Sequence, residues 1–234
     1  MTPLVGRVQK DSMKAILVNA SPRKGGNTAT LLERVREGLE KGGCETKTVH
    51  LGTLAFTGCK GCLACKVKGS KCNGLCALRD DLRPVLEETL ASDILVLGSP
   101  VYFHAPTALA RSFTERLLFP ALNYAEPDKP VLRQPLRTAV IYTMHVMNDD
   151  LFAQFGYEKT LGFTAKSFEL LGPQETLFFR GLSAFPNAER YVTNAWAEGE
   201  FARIRREDYP DYERRARNLG RRLANAEYGN RKDR

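Results

Sequence analysis

Hydrophobic and polar positions change period repeatedly along this chain, and the changes fall at turn-forming residues. Ile16, Leu17, Val18 and the small Ala20 make a buried-strand run. A polar, Gly-containing turn follows, and then Leu31, Leu32, Val35 and Leu39 recur on one stripe of a helix that opens near Thr28 and stops at Gly42-Gly43. Cys44 to Leu51 alternates as a second strand, whereas Leu54 to Arg79 has little periodicity. Asp80 or Asp81 is placed to cap a helix bearing Leu82, Val85, Leu86 and Leu90, and Ile94 to Gly98 reads as a third buried strand. The run Ser99 to Pro106 then joins that strand to a helix from Thr107 to Leu118. Phe119 to Leu136, with four prolines, reads as an excursion over the core or over a neighbouring subunit. Thr138 to Thr143 makes a fourth strand, the next helix lies between Asp150 and Leu171, Glu175 to Phe179 makes a fifth strand, and a helix from about Asp211 to Ala226 closes the chain.

Strands alternating with helices predict an α/β, three-layer, doubly wound domain with a five-stranded parallel sheet. In the order 2-1-3-4-5, the loops 21–28, 99–106 and 143–148 meet at the carboxyl edge, around the switch point where such sheets hold ligands. The expected organisation is an arm over 1–13, one domain over 14–226 with a cysteine-rich insertion at 54–79, and a basic tail at 227–234.

Composition adds limits. At 234 residues and 43% hydrophobic the chain can bury a substantial core, and no apolar run approaches a membrane span. The first twelve residues lack a signal-peptide core, so a soluble, cytoplasmic protein without a membrane partner is expected. The formal charge is +8, of which the last 32 residues carry +5. Because Arg214, Arg215, Arg217, Arg221 and Arg222 are interleaved with Ala216, Leu219 and Leu223, this reads as a solvated helix face with a frayed tail, not a nucleic-acid surface.

Chemistry concentrates in three stretches. In A-S-P-R-K-G-G-N-T a strand passes through a turn into a helix, where unpaired amides and the helix dipole favour an anion. Ser21, Asn27 and Thr28 add donors, Arg23 adds charge, and Gly25-Gly26 lets the loop curl. Neither the P-loop pattern nor the dinucleotide fingerprint is present. The second stretch, S-P-V-Y-F-H-A-P, offers amides and the aromatic Tyr102 and Phe103, which suit a flat ring unless they are core aromatics. One phosphate with a flat heterocycle describes FMN better than NAD or ATP. His104 and His145 fall in these loops, but there is no acid–base or nucleophile motif, so no catalytic side chain is assigned.

The third stretch holds five of the six cysteines: Cys59, Cys62, Cys65, Cys72 and Cys76. C-x2-C-x2-C is the compact spacing that wraps a 4Fe-4S cluster, a fourth cysteine arriving from further along. Lys60, Lys66, Lys68, Lys71 and Arg79 supply positive charge, with no acid between Gly52 and Leu78. Plain thiols, or zinc held by Cys59, Cys62, Cys72 and Cys76, are the alternatives. Cys44, alone on a strand, reads as a structural thiol.

Together the runs A-S-P-R-K-G-G-N-T, F-T-G-C-K-G-C-L-A-C-K with L-R-D-D-L, G-S-P-V-Y-F, R-S-F-T-E-R-L-L-F-P and I-Y-T-M-H-V resemble the flavodoxin-like NAD(P)H-dependent FMN reductase family, and within it the branch that includes iron-sulfur flavoproteins. The resemblance implies FMN held by Ser21, Arg23, Asn27, Thr28, Pro100, Val101, Tyr102 and Phe103, with Thr143 and Met144 as weaker candidates, in a homodimer or homotetramer. For the fourth cluster ligand, Cys72 matches the loop length of iron-sulfur flavoproteins and Cys76 the spacing to Asp80-Asp81. Cys76 is chosen, because the helix start fixes its position, giving Cys59, Cys62, Cys65 and Cys76. The implied activity carries electrons from NAD(P)H through FMN to a quinone, a flavin or another small acceptor. The alternative is an electron carrier with FMN and a cluster, exchanging electrons with ferredoxin-like partners. A zinc-stabilised binding module is the non-redox reading.

Overall fold

A computed structural model of the chain describes residues 12–69, 72, 74–124, 135–185, 190–192 and 195–225. The arm up to residue 11, Lys71, most of the Pro-rich excursion (125–134) and the basic tail at 227–234 lie outside the described residues.

The elements are β1 (Lys14–Asn19), α1 (Asn27–Lys41), β2 (Glu45–His50), α2 (Leu82–Ala91), β3 (Ile94–Tyr102), β4 (Ala105–Pro106), α3 (Ala108–Ala121), β5 (Arg137–Thr143), α4 (Asp149–Gln154), α5 (Tyr157–Lys166), β6 (Gln174–Phe179), α6 (Ala195–Glu207) and α7 (Tyr209–Ala224). Five strands pair in parallel in the order β2-β1-β3-β5-β6. This is the expected 2-1-3-4-5 arrangement, since β4 is only a two-residue strand folded back antiparallel on the end of β3. Side chains alternate across the sheet as a period of two requires. Ile16 and Val18 of β1 enter a core with Leu82, Leu86, Phe113, Leu117, Leu161 and Phe168, so α2, α3 and α5 cover that face. Ala15 and Leu17 enter another with Leu31, Val35, Leu39, Leu219 and Leu223, so α1 and α7 cover the opposite face.

Several expectations need correction. The stretch 99–106 is not a plain loop: β3 runs on to Tyr102 and turns back as a hairpin. The single helix expected between 150 and 171 is broken at Gly156, whose φ of 61° ends α4 before α5 begins. Helix α3 extends past Leu118 through Pro120, and α6 was not foreseen at all. The closing helix begins two residues early, at Tyr209, with Pro210 in its first turn, where a missing N–H costs nothing. Two arginines of α7 are less solvated than expected, while Arg214 and Arg221 stay exposed. Arg217 pairs with Glu37 of α1 at 2.7 Å, and Arg222 pairs with Glu175 of β6. Among the described residues no helix is long and apolar enough to cross a membrane.

Candidate functional site

The carboxyl ends of β1, β3, β5 and β6 converge on one cleft of about 250 Å3. All ten residues expected to hold the flavin, namely Ser21, Arg23, Asn27, Thr28, Pro100, Val101, Tyr102, Phe103, Thr143 and Met144, contribute to its wall. They come from three separate segments, brought together because parallel strands all point their carboxyl ends the same way.

At one end of the cleft is the start of α1. Gly26 precedes it with φ 125°, a conformation closed to most side chains, and no side chain caps the helix. The first amides therefore have no intrahelical partner, and the positive end of the dipole faces the cleft. No acidic residue stands in the first turn of α1 or among the cleft residues. The loop is held in shape by its own polar groups: Ser21 N donates to Asn19 Oδ1 at 2.9 Å and Arg23 N to Ser21 Oγ at 3.2 Å. Ser21, Thr28 and Thr143 are each more than nine-tenths buried, and the Thr28 and Thr143 hydroxyls share a hydrogen bond of 2.8 Å, which ties the helix start to β5. An amide nest with hydroxyls and no carboxylate is a donor set that fits a phosphate monoester, and the FMN phosphate is one.

The other end is aromatic. Val101 pairs with Pro106 and Tyr102 with Ala105, which leaves Phe103 and His104 as the two tip residues of the β3–β4 hairpin. Both have positive φ, 46° and 65°, as a type I′ turn demands, yet neither is the Gly or Asn such a turn prefers. Strain of this kind is retained where the side chain at the tip is needed. Phe103 is fully exposed, and Tyr102 is 42% exposed. They are not core aromatics. His104 is held by a 2.7 Å hydrogen bond between Nδ1 and the Tyr157 hydroxyl and by stacking on that ring, so the strained tip is buttressed from α5. His145 also lines the cleft. Its ring packs on Phe201 at 4.4 Å, and burial pulls its pKa below the ordinary histidine value, which keeps the imidazole neutral.

Two features of the cleft went unforeseen. The segment after β6 closes it, with Leu182, Ser183 and Ala184 in the wall. Arg23 Nη1 donates to Ala184 O at 2.6 Å and Asn27 Nδ2 to Ser183 O at 3.0 Å, so these two donors, expected to face the phosphate, are partly engaged by the protein itself. The signal was available in Gly181, which comes two residues after the last strand and lies at the same carboxyl edge as the other three loops.

The cysteines gather elsewhere. Cys59, Cys62, Cys65 and Cys76 line one small hollow with Lys60, Glu115, Arg116 and Phe119. Cys72 is not part of that wall, and its thiol lies 3.7 Å from Ala64 O as a hydrogen-bond donor. Among the described residues no three His, Cys, Asp or Glu side chains converge closely enough for a single metal ion. The four cysteines that line the hollow, of about 10 Å3, are the set expected for a cluster, whereas the zinc set would need Cys72, which stands outside that wall.

The hollow is anchored by charge. Arg116, fully buried, donates from Nη1 to Asp80 and to Thr57 O at 3.1 Å, and from Nη2 to Leu78 O at 3.2 Å. It thus clasps both ends of the cysteine loop. Arg83 Nη1 adds a 2.6 Å bond to the Cys76 carbonyl. Burial drives the Asp80 carboxyl up, but the hydrogen bond and charge of Arg116, aided by the Thr57 and Leu82 amides, outweigh it and hold Asp80 below the usual carboxylate range. Burial pushes the Cys65 thiol up, against the nearby charge of Lys66. The Lys66 ammonium donates to Pro120 O at 3.2 Å and lies 5.0 Å from the Phe119 ring, at the negative end of α3.

Comparison with known proteins agrees with this geometry. An iron-sulfur flavoprotein of Archaeoglobus fulgidus is 36% identical over 106 residues, covering 45% of this chain and 46% of its own length, so the chain matches about half the length of that curated relative. An NAD(P)H:quinone oxidoreductase from Methanothermobacter marburgensis superposes with a TM-score of 0.62 at 15% identity, over 92% of this chain and 98% of its own. An FMN-dependent NADH-azoreductase from Bacillus anthracis, solved in complex with FMN, gives 0.60 at 14% identity over 91% and 100%. Those two likenesses show the fold. The family model for NADPH-dependent FMN reductase matches residues 13–147, more than half the chain and both loops that line the two ends of the cleft. The chain therefore belongs to the NADPH-dependent FMN reductase family.

Proposed function

We propose that the cleft at the carboxyl edge binds FMN and that the protein is an oxidoreductase carrying electrons from NAD(P)H to a small acceptor such as a quinone or a flavin. The observation that carries this reading is the convergence of an uncapped, acid-free helix start and a strained aromatic hairpin on the two ends of one cleft. In it the amides of α1 with Ser21 and Thr28 hold the phosphate, while Pro100 to Phe103, Thr143 and Met144 position the ring. FMN supplies the hydride and electron chemistry when bound. The chain's own part is to orient the ring, keep carboxylates away from the phosphate and hold the neutral His145 imidazole at the wall. The test is titration of flavin-free protein with FMN, followed by anaerobic addition of NADPH. Tight one-to-one binding and bleaching of the flavin bands are expected, and a chain that binds no FMN rules the reading out.

A second reading is favoured by a specific observation, the four thiols around one hollow beside a buried guanidinium. On it Cys59, Cys62, Cys65 and Cys76 hold a 4Fe-4S cluster and the protein exchanges electrons with ferredoxin-like partners, as the name of its iron-sulfur flavoprotein relative suggests. Iron analysis of anaerobically prepared protein separates the two: about four irons per chain favours the carrier, none the simple reductase. The exposed Tyr102, Phe103 and Phe155 leave apolar surface near the hairpin, which suits a homodimer or homotetramer, checked by light scattering.

A further inference from the structure

Of the four thiols that line the cysteine hollow, only Cys76 is buried; Cys59 and Cys62 are exposed and Cys65 is half-buried. Two arginines hold the buried one. Arg83 Nη1 donates to its carbonyl at 2.6 Å, and the Arg116 guanidinium lies against its thiol, within hydrogen-bonding reach. The rest of that guanidinium is largely committed, Nη1 to Asp80 and to Thr57 O at 3.1 Å, Nη2 to Leu78 O at 3.2 Å. Nε meets no oxygen acceptor among the described residues, so the Cys76 sulfur is the neighbour left for the fork to face. A clasp for the loop needs the carboxylate and the carbonyls, but not the sulfur.

The ion pair also has a direction. Arg116 belongs to the wall of the hollow and Asp80 does not, so the pair turns its positive end to the thiols and keeps its negative end behind. The other charges of the wall are met by solvent. Lys60 is exposed, and the Glu115 side chain is 38% exposed and pairs with Arg111 at 2.9 Å. The Arg116 side chain has no exposure, so water and salt screen its field far less than theirs.

We infer that Arg116 is a positioning residue that sets the electron affinity of the group held by Cys59, Cys62, Cys65 and Cys76: its charge, facing Cys76, favours the reduced state and raises the reduction potential. The inference rests on the iron-sulfur reading above and deepens it. An electron entering among these thiolates, from dithionite in the experiment below, adds one negative charge and neither makes nor breaks a bond. A facing cation that donates to a ligand sulfur stabilises the added charge, and a nearby carboxylate opposes it. Asp80 is therefore a counterweight, cancelling part of what Arg116 supplies. Two substitutions follow with opposite signs. Asp80→Asn frees the arginine's charge and raises the potential, whereas Asp80→Asn combined with Arg116→Met removes the whole pair and lowers it.

The experiment is iron analysis and redox potentiometry of the full-length, anaerobically prepared protein and the two variants, with the paramagnetic resonance signal of the reduced cluster as the readout. At the wild-type midpoint, Asp80→Asn should favour reduced over oxidised cluster about tenfold, the low end of what one charge within a few ångströms does to a neighbouring ionisation. The paired variant should favour the oxidised form. A disturbance of loop packing has no reason to reverse sign between the two, so opposite shifts support the inference. Where the paired variant sheds its iron, the single variant decides alone: an upward shift supports the inference and any other result overturns it. Iron retained with unmoved midpoints, or midpoints that move the same way, overturns it and leaves the cluster reading standing. Loss of iron from both variants makes the pair a purely structural clasp and also overturns it. Wild-type protein without iron removes the cluster reading and this inference together.

Discussion

Replacing Asp80 by asparagine removes the counter-charge of a fully buried arginine while keeping the size of the side chain. In the wild-type protein the Arg116 guanidinium has no solvent exposure, and Asp80, 20% exposed, is its ionic partner. It also donates to the neutral Thr57 and Leu78 carbonyls and lies against the Cys76 thiol. Breaking one side of a buried pair costs roughly 3–5 kcal/mol, and the partial exposure of Asp80 puts the expectation for Asp80→Asn near the lower end, about 3 kcal/mol. For a chain of this length that corresponds to a fall of roughly 6–12 °C in melting temperature. The assay is urea denaturation followed by far-UV circular dichroism at a series of pH values. The pKa of Asp80 is lowered on folding, so its contribution is fully present above the unfolded value of about 3.9 and is lost as pH falls through the folded value below it. Wild type and variant should therefore differ at pH 7 and converge below about pH 4. Pairing the change with Arg116→Met should recover part of the loss, because the uncompensated charge goes with it. A variant within 1 kcal/mol of wild type at pH 7, or a gap that does not close in acid, would refute the argument.

Three further outcomes are expected. A Cβ at Gly220 of α7 would run into the Val35 carbonyl of α1, so Gly220→Ala should cost about 1–3 kcal/mol in urea denaturation; an unchanged midpoint would mean the two helices are not packed this closely. Phe103→Gly relieves a positive φ in the hairpin and should stabilise the fold by about 1 kcal/mol while weakening FMN binding several-fold, the worth of one aromatic stack. A gain in stability with no loss of flavin would remove Phe103 from the site. In anaerobic protein, Cys76→Ser should lower the iron-to-protein ratio and Cys72→Ser should leave it intact, since only Cys76 faces the hollow shared with Cys59, Cys62 and Cys65; the opposite result would reverse the choice of fourth ligand.

Local signals and long-range ones divide cleanly here. The short apolar run at Ile16 to Val18, buried on both faces, and the helical stripe at Leu31, Leu32, Val35 and Leu39 fix element type because each is a local pattern, and both elements stand where that pattern puts them. From the alternation of strands and helices the parallel order follows, and from the order the meeting of the loops after β1, β3 and β5; the ten residues that the family resemblance implied for the flavin all lie in those loops and line one cleft. The segment after β6 was missed although the same rule covers it, and α6 was missed because its Glu- and Arg-rich surface weakens the apolar stripe. The hairpin tip was read as a loop, since nothing in Phe103-His104 announces a turn that normally takes Asn and Gly.

What the sequence determined by itself was the five parallel strands, their order, the helices α1, α2, α3 and α7 and the chemical character of each loop, because these depend on residues near one another along the chain. Tertiary structure alone decided which thiols share a hollow, that Arg23 and Asn27 brace the segment after β6, and that Arg116 lies fully buried against Asp80. An arginine on an amphipathic helix reads as solvated wherever it occurs. Only the meeting of α3 with Thr57, Leu78 and Asp80, 36 to 59 residues upstream, supplies the carboxylate and carbonyls that offset the cost of its burial.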